Sequence, residues 1–149
     1  MVQSAIAEGA TVACGGHKVQ VDGKGWFYEP TVITGCTHDM RIMRDEIFGP
    51  VLPITTFKTL DEAIEMANDS VYGLTSSIYT TDYDTVMRAM NEIKFGETYV
   101  NREHFEAFQG FHQGVRQSGI GGEDGELGVE EYLETHVCYV DWDTERNKA

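Results

Sequence analysis

A chain of 149 residues with 41% hydrophobic and 24% charged side chains has the make-up of a soluble domain. It is long enough to bury about two thirds of its unfolded surface if it folds as a complete globule. Its formal net charge of -14, with 11 Lys and Arg residues that nowhere cluster, excludes nucleic acid as an expected partner. No apolar run reaches the length of a membrane span, and "MVQSAIAEGA" has no basic segment followed by an apolar core, so no membrane anchor or secretory signal is read and the cytoplasm is the expected location.

Val2 to Glu8 reads as a short helical fragment with Val2, Ala5 and Ile6 on one side, below the length at which a helix survives alone in water. "TVACGG" reads as a strand ended by glycines, "VDGKGWFYEP" as a Gly-rich hairpin and "TVITGC" as a further strand. In "RDEIFGPVLPI", Glu46 and Phe48 stand at i and i+2, and extended backbone would send both side chains to one face before Gly49 and Pro50 bend the chain into a strand. An acid beside a flat ring suits a ligand that carries vicinal hydroxyls and a planar heterocycle, because an ionised carboxylate accepts from two hydroxyls. The alternative is a surface glutamate next to a core phenylalanine.

Strand "VLPITTF" leads to "TLDE", a capping box in which the Thr59 hydroxyl and the Glu62 carboxylate satisfy helix-start amides, followed by a helical stripe of Leu60, Ala63, Ile64 and Ala67. "LTSSIYT" reads as a strand. A second helix presents Tyr83, Val86, Met87, Met90 and Ile93 on one face, and strand "ETYVN" follows. This alternation predicts an α/β fold with right-handed crossovers on a parallel sheet, whose ligands gather at the carboxyl ends of the strands. The long segment after Asn101, "REHFEAFQGFHQGVRQSGIGGEDGELG", is therefore the second place to look for function. A last helix is expected to turn Val129, Tyr132 and Leu133 inward, and "HVCYVDW" alternates like a strand that must pair with something.

Other chemistries fit poorly. Cys14, Cys36 and Cys138 are odd in number and lack C-x-x-C spacing, so they read as small, buried, reduced thiols. "SGIGGEDG" fails the G-x-G-x-x-G spacing at Asp124 and reads as a tight irregular turn. Glu103, His104, Glu106 and His112 lack the spacing of a metal site, and no metal is expected. Ser118 has no nucleophile elbow around it.

"DEIFGPVLPI", "ANDSVYGLTSSIYT", "GETYVN" and "QSGIGGEDGELGVEEYLETHVCYV" stand in the order of the motifs of the aldehyde dehydrogenase superfamily, which the chain resembles from Gly9 to about Tyr139. The resemblance implies the parallel-sheet C-terminal portion of a catalytic domain over residues 1–135, and a C-terminal oligomerisation strand with a polar tail over 136–149. It implies NAD as cofactor, with Glu46 on the nicotinamide ribose and Phe48 beside the nicotinamide, and a supporting role for Asn101. Within the superfamily the loop "NREHFEAFQGFHQGVRQSGIGG" looks most like those of enzymes acting on lactaldehyde or glycolaldehyde. His112 stands where the family commonly has a pocket aromatic and can hydrogen-bond a substrate hydroxyl, with Glu106 sharing the pocket, against the alternative of a loop histidine facing water. Arg116 and Gly122 depart from a usual Lys and a usual Arg.

The family oxidises an aldehyde through a cysteine thiolate, hydride transfer to NAD and hydrolysis by a glutamate-activated water. The residues that do this in the family match nothing here and would lie before Met1, so the chain alone is expected to be inactive. A homo-oligomer is expected of the parent enzyme, and a non-catalytic structural or oligomerisation module stands as the rival reading.

Overall fold

The computed structural model describes residues 1–142; the polar tail read after Trp142 lies outside them. The fold is mixed α/β, in two compact units.

The first unit comprises Met1–Ser70 and Asp82–Lys94. It contains α1 (Val2–Ala7), β1 (Thr11–Cys14), a hairpin of β2 (Lys18–Val21) and β3 (Lys24–Tyr28), β4 (Thr31–Thr34), the short α2 (Arg41–Arg44), β5 (Val51–Pro53), α3 (Leu60–Asn68) and α4 (Tyr83–Glu92). In its three-stranded sheet β4 is central, antiparallel to β1 and parallel to β5, with Thr31 opposite Val51 and Ile33 opposite Pro53. Ile33 is fully buried there among Ala5, Ala10, Cys36, Met40 and Ile42, and burial of such a side chain contributes about 1.5–3 kcal/mol.

The Thr59 hydroxyl accepts from the Glu62 amide at 3.2 Å, as the capping box predicts. The reciprocal bond starts one residue early, from the Lys58 amide to Glu62 Oε2 at 2.7 Å. Asp82 caps α4 by accepting from the Thr85 amide at 2.8 Å. Asn68 ties the ends of the two helices together, donating to the Glu92 carbonyl at 2.7 Å and accepting from the Lys94 amide at 2.8 Å.

The second unit comprises Val71–Thr81 and the residues from Phe95 on. It holds a parallel pair, β6 (Thr75–Ile78) and β7 (Glu97–Val100), then an antiparallel pair, β8 (His112–Gln113) and β9 (Gly122–Glu123), and the short α5 (Gly125–Glu130). A single 3-10 turn, Arg116–Ser118, and left-handed residues at Gly121, Asp124 and Gly125 make "SGIGGEDG" the irregular turn that its spacing indicates. Ser118 serves the backbone, its hydroxyl accepting from the Gly73 amide at 2.9 Å.

Several expectations are corrected. The parallel sheet is realised as two separate parallel pairs, β4–β5 and β6–β7, of which only the first has an antiparallel neighbour, β1, while β2–β3 and β8–β9 are antiparallel pairs of their own. Cys36 is buried, but Cys14 and Cys138 are exposed. Val129, Tyr132 and Leu133 are exposed too, because α5 ends at Glu130 and no layer of the described residues covers that side. On α4 the buried residue is Ala89, while Tyr83, Met87 and Met90 of the predicted face stay open. His136–Trp142 forms no strand, since a strand exists only with a hydrogen-bonded neighbour and none of the described residues supplies one.

Candidate functional site

Two sets of residues carry the candidate chemistry, one in each unit. In the first, the chain leaves α2 at Arg44 and turns through Glu46, Ile47, Phe48 and Gly49 into β5. Because Thr31 pairs with Val51, this turn lies at the amino ends of the parallel strands β4 and β5. Phe48 has φ +48°, left-handed backbone in place of the extended conformation expected, and the residue is 93% exposed. A non-glycine residue there is uncommon and usually marks a tight turn or a functional constraint. Glu46 is exposed as well. The neighbouring cations are engaged elsewhere: Arg41 bonds Asp45 at 2.7 Å and Arg44 bonds Asp69 at 2.8 Å. Glu46 has no side-chain hydrogen bond among the described residues, so both of its oxygens remain available as acceptors.

In the second unit, Asn101 closes β7. Its amide side chain accepts from the Thr80 amide at 2.8 Å and donates to the Thr80 carbonyl at 2.9 Å, joining the carboxyl ends of β6 and β7. This geometry suits the supporting role expected of it. The segment that follows starts at those carboxyl ends, with Ser77 bonding the Arg102 carbonyl at 3.1 Å, and returns through β8.

His112, on β8, is only partly exposed and places Nδ1 2.7 Å from Glu97 Oε1. The other oxygen of that carboxylate, Oε2, accepts from the Tyr99 hydroxyl at 2.5 Å. Tyr99 in turn stacks on His104, with ring centroids 5.4 Å apart, and Arg102 lies 5.5 Å over its ring. His104 Nδ1 lies 2.7 Å from the Thr75 hydroxyl. The bond to Glu97 raises the His112 pKa above its ordinary 6.5, aided by the charges of Glu97, Glu106 and Glu123. The same carboxylate pushes the Tyr99 phenol up to about 12.

Glu106 is exposed and unpaired among the described residues, yet its charge acts on both Tyr99 and His112. Glu106 makes no hydrogen bond or ion pair with His112 among the described residues, and its charge alone bears on the ring. The sequence reading missed Glu97 and Tyr99, although i and i+2 on a strand put them on one face, a signal present in "ETYVN". His104, considered above only as a metal ligand, stacks instead, and no group of three or more His, Cys, Asp or Glu among the described residues is gathered to hold a metal.

The two departures from the family pattern also have a local explanation. Arg116 donates to the Tyr72 carbonyl at 3.3 Å and lies 5.9 Å over the Phe95 ring. A Cβ at Gly122 would meet the His112 carbonyl oxygen, so β8 and β9 approach too closely there for any side chain.

Residues 1–138 match the model of the aldehyde dehydrogenase family. The chain belongs to that family. It is 57% identical over 139 residues to lactaldehyde dehydrogenase of Escherichia coli, covering 93% of this chain and 29% of that protein. The crystal structure of the E. coli enzyme superposes with a TM-score of 0.89 at 56% identity, over 93% of this chain and 29% of the other. It is also 45% identical to 3,6-anhydro-alpha-L-galactose dehydrogenase of a Vibrio species, over 96% of this chain and 30% of that protein. A betaine aldehyde dehydrogenase of Staphylococcus aureus, solved with NAD+, aligns with a TM-score of 0.83 at 42% identity, over 95% of this chain and 30% of that one. This aldehyde dehydrogenase segment therefore spans about three tenths of the length of the relatives it matches. No helix among its described residues is long and apolar enough to cross a membrane.

Proposed function

We propose that this chain is the C-terminal segment of an NAD-dependent aldehyde dehydrogenase that oxidises a small hydroxyaldehyde, lactaldehyde or glycolaldehyde, to the carboxylic acid. The observation that supports it most is the 57% identity to the E. coli lactaldehyde dehydrogenase across nearly the whole chain. In this reading residues 1–135 are part of the catalytic domain, and 136–149 supply an oligomerisation strand, "HVCYVDW", for another subunit of a homo-oligomer, followed by a polar tail.

Glu46 holds the nicotinamide ribose, its uncommitted oxygens accepting from two hydroxyls, and Phe48 lays its open ring beside the nicotinamide. NAD, when bound, supplies the hydride acceptor. His112 and Glu106 receive the hydroxyl end of the substrate. The nucleophilic thiol and the water-activating glutamate belong to the part of the enzyme that this chain does not span, so the pure chain reduces no NAD+ when given lactaldehyde.

Hydrogen bonds to a charged acceptor are worth about 1.5–3 kcal/mol. Replacing the carboxylate by a neutral amide, Glu46→Gln in the complete enzyme, is expected to raise KM for NAD about tenfold or more while the KM for aldehyde moves little. Steady-state kinetics with each substrate varied in turn decide it, and an unchanged coenzyme KM and kcat would remove Glu46 from the coenzyme site.

A further inference from the structure

The carboxylate of Glu97 can only accept hydrogen bonds when ionised. With Oε1 2.7 Å from His112 Nδ1, an ionised carboxylate requires the proton of that bond on Nδ1. With Oε2 held by the Tyr99 hydroxyl, the carboxylate cannot swing away from the ring. Both members are mostly shielded, with 13% of the Glu97 side chain and 24% of the His112 side chain exposed. Nε2, the second ring nitrogen, has no hydrogen-bond partner among the described residues.

We propose that Glu97 is the positioning residue for His112: it holds the proton on Nδ1 and leaves Nε2 to read a hydroxyl next to the carbonyl of the aldehyde. This deepens the reading of His112 as a substrate residue and rests on it.

A hydroxyl both donates and accepts. The neutral ring accepts at Nε2 from the hydroxyl, and the protonated ring donates to the hydroxyl oxygen. A hydroxyaldehyde is therefore recognised in either charge state of the ring, whereas a plain alkyl aldehyde offers that nitrogen nothing. The acidic groups whose charge acts on the ring are Glu97 from β7, Glu123 from β9 and Glu106 from the loop between β7 and β8. All three favour the charged ring, so the two-state match to a hydroxyl keeps selectivity from depending on pH. Glu97→Gln offers Nδ1 either an oxygen or an amide proton, releasing the tautomer.

The test has two arms. In the chain itself, 15N chemical shifts of the His112 ring report which nitrogen carries the proton. The wild-type ring is expected to hold Nδ1–H above its pKa, and Glu97→Gln to lose that bias. In the complete enzyme, the ratio of kcat/KM for lactaldehyde to that for propanal is measured from pH 6 to 9, in the wild type, Glu97→Gln and His112→Phe. The expected result is a wild-type ratio that stays level with pH, and a fall of about tenfold in both variants, the size of one hydrogen bond. Tyr99→Phe, which removes only the anchor of the carboxylate, is expected to fall part of the way, and decides the matter if Glu97→Gln does not fold.

A ratio lowered by His112→Phe but untouched by Glu97→Gln and Tyr99→Phe overturns the positioning role and leaves His112 as a substrate residue. A ratio untouched by His112→Phe overturns the substrate reading, even where the ring nitrogens confirm the bond to Glu97. A wild-type ring with its proton on Nε2 overturns the proposal at once.

Discussion

Asn101 has φ +54°, a left-handed backbone that asparagine tolerates better than most residues. Its side chain accepts from the Thr80 backbone amide and donates to the Thr80 backbone carbonyl. One residue thus reverses the chain at the end of β7 and clamps the neighbouring strand. Asn101→Ala removes two bonds, each contributing about 0.5–1.5 kcal/mol net, from a left-handed backbone that alanine tolerates less well than asparagine. Urea denaturation is expected to show a loss of about 1–3 kcal/mol, and a loss below about 0.5 kcal/mol would show that Thr80 finds other partners. The asparagine was legible as a motif residue. Its clamp on Thr80 was not, because the partner stands 21 residues earlier and strand pairing alone brings the two together. The pairing of Glu97 with His112 escaped for the same reason, although His112 itself was singled out, the two being 15 residues apart with the long loop between them.

Among the elements, β8 is only two residues long, as is its partner β9, and backbone contact holds it in place. A Cβ at Gly96 would run into the Gln113 carbonyl oxygen, and one at Gly122 into the His112 carbonyl oxygen. The strand that carries His112 is therefore pinched between two glycines, one just before β7 and one on β9. Gly96→Ala forces backbone apart, an overpacking cost of about 1–3 kcal/mol. Gly49→Ala is the contrast, since a Cβ there would lie 3.9 Å from its nearest neighbour, the Ile47 carbonyl oxygen, and its φ is not left-handed. There the change removes freedom from the unfolded chain and is expected to stabilise by about 0.4–1 kcal/mol. Opposite signs in a denaturant titration support the pinch; equal effects would contradict it. The helix whose cap was read from the sequence, α3 at Thr59, formed where local chemistry placed it, and the structure adds Asp82 as the cap of α4. The predicted strand over His136–Trp142 did not form, because alternation specifies a face and leaves the partner unspecified.

For the molecule as a whole, apolar surface and net charge oppose each other. A self-contained monomer of 16.7 kDa exposes about 7,600 Å² by the scaling of folded proteins, but this chain exposes 11500 Å². The excess includes large apolar side chains: Trp26, Phe48, Ile120, Tyr139 and Trp142 are each more than four-fifths exposed. None of the buried apolar side chains among the described residues lies in the second unit, whose order rests on short strand pairs and the Glu97 network. Exposed apolar area of this extent seeks cover from other chains. Against it stands the net charge of -14, which keeps copies apart at low salt. The range of that repulsion shrinks from about 10 Å at 0.1 M salt to about 3 Å at 1 M, while burial of apolar surface is not screened. Self-association of the purified chain should therefore increase with sodium chloride, the reverse of an assembly held by opposite charges. Sedimentation velocity at 20 mM and 500 mM salt is expected to show the weight-average sedimentation coefficient rising with both salt and protein concentration. A single species at the monomer mass under every condition would mean that the chain covers its apolar faces by itself, and that no partner surface is needed to complete it.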